Sequence, residues 1–256
     1  MDAADIILEL DAKKANLSPE EFEKEVINTC RSYEKENPTD FPGQAALYNE
    51  LGSFYRMNGQ YPEGEKAFLK AKELLETWYE VPVITTCDTG SCPACAAQKG
   101  PVDPHEELVV ISNTNTADYA TVLNNLAGLY RMAGDNDRAL STFDKALEHY
   151  AALDDVPGDV YASCFNNKGL VYLRMQKGKE ALELFEKALS IGEKAENSDS
   201  VMGTTFSNMA FAYIYMGDKA SALSVLTKAE ECFTRLGEQG ESMLRSCREL
   251  EMNLKK

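Results

Sequence analysis

Residues 123–134 read LNNLAGLYRMAG, and the spacing of small and aromatic residues in this stretch recurs three more times along the chain. Leu126-Ala127 with Tyr130 is matched by Leu51-Gly52 with Tyr55, by Gly169 with Tyr172, and by Met209-Ala210 with Tyr213. Nine residues beyond each tyrosine stands a small residue (Gly64, Ala139, Ala181, Ala222). Four further on comes a large apolar one (Phe68, Phe143, Phe185, Leu226), and three beyond that an alanine (Ala71, Ala146, Ala188, Ala229). A fixed internal period marks one supersecondary unit copied and stacked.

Counting each tyrosine as position 11 and advancing about 100° per residue, positions 4, 7, 8 and 11 share one helix face. That stripe is apolar or small in every unit except at Lys168. It is expected to pack on a second helix through positions 20, 24 and 27. Gly or Ala at positions 8 and 20 lets two backbones approach while Tyr and Phe fill the space above and below. Gly59, Gly134 and Gly217 fall at the turn ending the first helix, where a left-handed residue is needed.

In these features the chain resembles the tetratricopeptide repeat. Tyr130 to Tyr172 is 42 residues and Tyr172 to Tyr213 is 41, against a usual unit of about 34. With this longer period the string at 123–134 is similar to the repeats of kinesin light chains and related long-period families. The resemblance covers residues 43–236 and implies an all-α, right-handed superhelix, an α-α solenoid of stacked helix pairs. The chain has no heptad stalk, so cargo transport does not follow.

One solenoid over residues 1–256 is expected. Residues 1–40 supply N-terminal helices, the first over Ala3 to Lys14 and the second starting at Ser18-Pro19-Glu20-Glu21, a capping-box sequence. Helix pairs follow at 43–79, 116–153, 158–194 and 199–236, and residues 241–256 form a capping helix. Tyr55 to Tyr130 is 75 residues, so an insertion lies near 81–112. There Val81-Pro82-Val83-Ile84 and Leu108-Val109-Val110-Ile111 are rich in apolar, β-branched residues and predict two short paired strands.

Positions 2, 5, 6, 9, 12 and 13 point away from the helix-pair contact and are expected to line the concave groove. Six asparagines occupy positions 5 and 6: Asn49, Asn124, Asn125, Asn166, Asn167 and Asn208. An amide both donates to and accepts from an extended backbone. Arg56, Arg131 and Arg174 add positive charge, opposed there by Glu50 alone, in a chain of net charge −16. A cationic groove in an acidic protein predicts a partner segment that is acidic or C-terminal, whose carboxylates arginine holds bidentately. Phe211 and Tyr215 make the far end apolar. The resemblance implies peptide clamping by the position-6 residues Asn125, Asn167 and Asn208. Hydrogen bonding between neighbouring first helices is the competing role for the same amides.

The acidity argues against a nucleic-acid partner, which needs a basic footprint. No stretch approaches the ~20 apolar residues of a membrane span, and Met1-Asp2-Ala3-Ala4-Asp5 lacks the basic start of a secretion signal. Seven cysteines, an odd number unevenly scattered, fit reduced thiols, so a cytoplasmic setting is expected. Cys87, Cys92, Cys95 and His105 have the types to hold zinc tetrahedrally; a redox dithiol at Cys92 and Cys95 and an inert loop stand beside that reading. No phosphate loop, dinucleotide turn, nucleophile elbow or metalloprotease motif occurs, so no enzyme is expected. The leading expectation is a non-catalytic scaffold that binds a peptide segment in its groove. The alternatives are an adaptor gated by metal or redox change at the Cys87–His105 loop, and a self-associating homo-oligomer.

Overall fold

The structure is a computed structural model that describes residues 2–14, 16–77, 79–85, 105–111, 116–195 and 198–256. Two helices lead: α1 (Ala3–Lys14) and α2 (Pro19–Glu36). The capping box read at Ser18 is formed. Its Oγ accepts from the Glu21 N–H at 3.3 Å, and the Glu21 carboxylate accepts from the Ser18 N–H at 3.0 Å.

Four helix pairs follow: α3 (Phe41–Met57) with α4 (Tyr61–Glu76), and α5 (Ala117–Ala133) with α6 (Asn136–Ala151). After them come α7 (Gly158–Arg174) with α8 (Gly178–Gly192), and α9 (Asp199–Tyr215) with α10 (Lys219–Arg235). A 3-10 turn (Gly237–Gly240) leads into α11 (Glu241–Lys255). Each pair is an antiparallel hairpin stacked on the next, an α-α solenoid.

The stripe residues make the contacts expected of them. Phe68, Phe143, Phe185 and Leu226 are fully buried, as are Ala71, Ala146 and Ala229. At Gly52 a Cβ would stand 2.7 Å from the Phe68 ring, so only hydrogen leaves room for this helix approach. Lys168, the exception in the stripe, pairs with Asp144 on the preceding second helix. Two signature tyrosines also reach back one unit: Tyr55 donates to Glu23 and Tyr130 to Glu65, both at 2.9 Å. Burial first, and then these carboxylates, push both phenols up to about 12.

The turn after each first helix is left-handed, at Gly59, Gly134 and Gly217 with φ of 73°, 91° and 78°. The third unit does the same with Gln176, φ 63°. Residues 79–85 and 105–111 form two antiparallel strands, β1 (Tyr79–Thr85) and β2 (His105–Ile111), with Val81 opposite Val109. The strand pairing expected from the β-branched runs is therefore present. Cys87, Cys92 and Cys95 lie outside the described residues, and His105 enters only through its backbone at the start of β2.

One further helix packs on each side of the four pairs. α1 packs on α3, its Leu10 buried against the first unit; α11 packs on α9 and α10 through the buried Cys247. On these two helices Glu9, Lys13, Arg245 and Glu249 are exposed.

Candidate functional site

The first helices α3, α5, α7 and α9 stand side by side and form one wall, with the second helices behind them. Its asparagines form a ladder with a regular rule. The position-6 amide of each unit donates to the position-5 carbonyl oxygen of the unit before: Asn125 to Asn49 at 3.0 Å, Asn167 to Asn124 at 3.5 Å, and Asn208 to Asn166 at 3.1 Å.

Asn124 and Asn166 are buried, while Asn49, Asn125, Asn167 and Asn208 are half-buried. The amides therefore do take the inter-helix role, and each donor keeps a second N–H beyond its rung. Past the last rung Ser207 meets Cys247 of α11 at 3.2 Å. At the other end Glu50 turns toward α1. Burial, then Asp11, hold its carboxyl above the usual range, opposed by Lys14, Arg56 and a hydrogen bond from Asn49.

The three arginines gather on α5. Arg56 reaches from α3 so that its Nη1 lies 2.9 Å from where a Cβ of Gly128 would be. Arg174 reaches back from α7, with Nη2 at 2.9 Å from the Cβ site of Gly134 and Nη1 donating to the Arg131 carbonyl. Arg131 stands between them. Burial first, then Arg56 and Arg174, hold its guanidinium below its ordinary value. The Nε atoms of Arg56 and Arg131 are buried and have no hydrogen-bond partner, and among the described residues no carboxylate makes an ion pair with any of the three.

The wall also carries apolar surface. Met57, Met132, Phe211 and Tyr215 lie at positions 9 and 13, and they are four of the eight large apolar side chains that the described residues expose. Beside Phe211 a cleft of about 230 Å³ opens between the last pair and α11, walled by Asn208, Phe233, Met243, Cys247 and Leu250. A polar cleft of about 280 Å³ lies between α7 and α9, lined by Asp159, Ser163, Asn166, Asn167 and Thr204.

Position counting brought all of the peptide-contact candidates to this wall and missed two groups. Gly128 and Gly134 serve as beds for guanidinium groups, a role that the glycine–arginine–glycine spacing of 128, 131 and 134 signals. The α11 side of the apolar cleft comes from outside the repeats. Cys30, Cys164, Cys232 and Cys247 are buried free thiols; burial pushes up Cys30, to about 12, and Cys164. His149 packs edge-on to Tyr119, ring centroids 4.7 Å apart. Among the described residues no His, Cys, Asp and Glu side chains cluster as metal ligands.

Residues 122–157 and 161–235 match family models of the tetratricopeptide repeat. The chain is 24% identical over 121 residues to response regulator aspartate phosphatase E of Bacillus subtilis, covering 47% of this chain and 31% of that protein. It is 35% identical over 101 residues to photosystem I assembly protein Ycf3 of Prochlorococcus marinus, covering 37% of this chain and 53% of that one. It thus matches less than two thirds of either relative. Among solved structures it is similar to BtubC (BKLC) of P. vanneervenii, with TM-score 0.57 and 13% identity over 96% of this chain and 91% of that one. It is also similar to the kinesin light chain-like repeats of Podosopora anserina, with TM-score 0.56 and 15% identity over 90% and 93%.

Proposed function

Because this chain is built of tetratricopeptide repeats, which imply a protein-interaction scaffold, we propose that it is non-catalytic and binds an extended, acidic segment of a protein partner along the wall of first helices. The observation that carries this reading is a coincidence on one surface. Among the described residues, half of the exposed large apolar side chains share the wall with three guanidinium groups that form no ion pair. Scattered apolar residues need no explanation, but apolar residues gathered beside unpaired charge favour a partner.

In this reading Arg56, Arg131 and Arg174 take acidic groups, and Phe211 with Tyr215 and the adjoining cleft takes an apolar side chain. The remaining N–H groups of Asn125, Asn167 and Asn208 bond the segment's backbone. The asparagines hold the stack as well, so their removal confounds a binding test; the side chains of Arg131 and Phe211 make no hydrogen bond among the described residues. We infer a cytoplasmic setting, supported by the four buried free thiols.

A photo-crosslinking residue placed at Tyr215 is expected to capture partner segments, and one at Leu69, exposed on the second helix α4, to capture none of them. Adding Arg131→Glu or Phe211→Glu is expected to abolish the Tyr215 crosslinks without lowering the melting temperature. Equal capture from both positions, or capture that survives both substitutions, rejects the reading.

A further inference from the structure

Gly128, Arg131 and Gly134 are three residues apart and turn through about 120° around α5 toward its terminus. Six residues of helix rise about 9 Å. Within that length Arg56 of α3 lies over Gly128, Arg174 of α7 lies over Gly134, and Arg131 rises from α5 itself. Any side chain at the two glycines would push the flanking guanidinium groups away, since each nitrogen stands 2.9 Å from the place a Cβ would take. The backbone thus makes room for three like charges to converge.

Convergence of this kind is costly in the free protein. Two buried Nε–H groups lack an acceptor, and an unmade hydrogen bond from a buried charged group forfeits more than a neutral one. The available compensation is small: Arg174 donates to the Arg131 carbonyl at the helix terminus, and Glu50 acts on Arg56 from a distance. Arg131 has neither. A bound anion would supply both acceptors and opposite charge.

The number and directions of the donors discriminate among anions. One carboxylate is planar, carries a single charge and pairs bidentately with one guanidinium fork in its own plane. A phosphoryl group carries about −1.5 to −2 charge near neutrality and presents three acceptor oxygens in different directions. Three forks arriving from three helices match the second. We propose that Arg56, Arg131 and Arg174 form a site for a phosphoryl dianion, carried on a side chain of the bound segment or free in solution. The proposal deepens the binding-wall reading and rests on it for the segment-borne source only.

The test uses the full chain and inorganic phosphate. In chloride buffer of fixed ionic strength, phosphate binds the folded form and raises the melting temperature by mass action; Arg131→Gln abolishes that rise. Arg56→Gln and Arg174→Gln, each removing one guanidinium from the rim, reduce phosphate affinity roughly tenfold or more, so the test does not rest on one variant. No rise beyond that given by chloride, or an equal rise in all three variants, overturns the site.

Fluorescence anisotropy with a serine-containing peptide, its phosphoserine form and its glutamate form then separates the sources. Phosphoserine bound roughly tenfold more tightly than glutamate, and more tightly than free phosphate, assigns the site to a modified segment. Phosphate bound as tightly as the phosphopeptide assigns it to the free ion. Glutamate bound as well as phosphoserine overturns the dianion. Loss of the phosphate effect with Tyr215 crosslinking intact rejects this site alone; the reverse rejects the binding wall alone.

Discussion

A Cβ built on Gly169 would stand 2.5 Å from Cε1 of Phe185, so α7 and α8 touch backbone to ring with no atom to spare. Alanine at an ordinary helix position gains about 1 kcal/mol over glycine. Here overpacking opposes that gain and costs about 1–3 kcal/mol. Gly169→Ala is therefore expected to destabilise by about 1 kcal/mol, lowering the urea midpoint while leaving the slope of the transition unchanged. A stabilised variant would show that the ring can move aside.

The Asn167–Asn124 rung is expected to matter to stability, because Asn124 is buried and its oxygen loses this partner in Asn167→Ala. Leaving a buried acceptor unpaired costs about 1–3 kcal/mol. A double-mutant cycle with Asn124→Ala is expected to show a coupling of at least about 0.5 kcal/mol. Strict additivity of the two losses would remove the rung as an energetic link.

Gln176 holds a left-handed conformation at φ 63° where the other three units use glycine. A side chain in that region costs about 1–2 kcal/mol. Gln176→Gly is accordingly expected to raise stability by about 1 kcal/mol, read from equilibrium urea unfolding. Gly134→Gln should move stability the other way, and further, because the new side chain also meets Arg174.

Glu50 is the one carboxylate at the counted wall positions of the described residues, and burial with Asp11 raises its pKa in the folded protein. Its contribution to stability is thus fully present below the unfolded value near 4.5 and is lost as pH rises through the raised folded value. Glu50→Gln is expected to melt at a higher temperature than wild type at pH 7, with the advantage vanishing by about pH 4. A pH-independent difference between the two would mean that Lys14 and Arg56 offset the burial.

The repeat was legible because packing faces have an angular signature. Gly52, Gly169, Phe68 and Phe185 declare which sides of two helices meet, and the left-handed glycines declare where the first helix stops. Lys168 was legible only as an anomaly, since nothing local to its helix points to Asp144 on another. The asparagines show a further limit. Counting assigns positions 5 and 6 to the wall but leaves open the axial offset of neighbouring helices, and that offset decides whether an amide meets a ligand or the next amide. The rule of position 6 donating to position 5 needed coordinates. Strand pairing followed from β-branched content, whereas the register, with Val81 opposite Val109, did not. The gathering of arginines depended on glycines whose value lies in the side chain they lack.

The first rung, Asn125 to Asn49, joins residues 76 apart in sequence, and the core around it draws Phe68, Leu75, Tyr119 and Phe143 from both sides of the insertion. Adhesion between the first two units therefore does not depend on an unbroken covalent chain between them. Scission anywhere within 86–104 should yield two fragments that elute together from a sizing column under native conditions and part only in denaturant. The molecule could then be expressed as complementing halves, with new termini at that point and its wall of first helices intact.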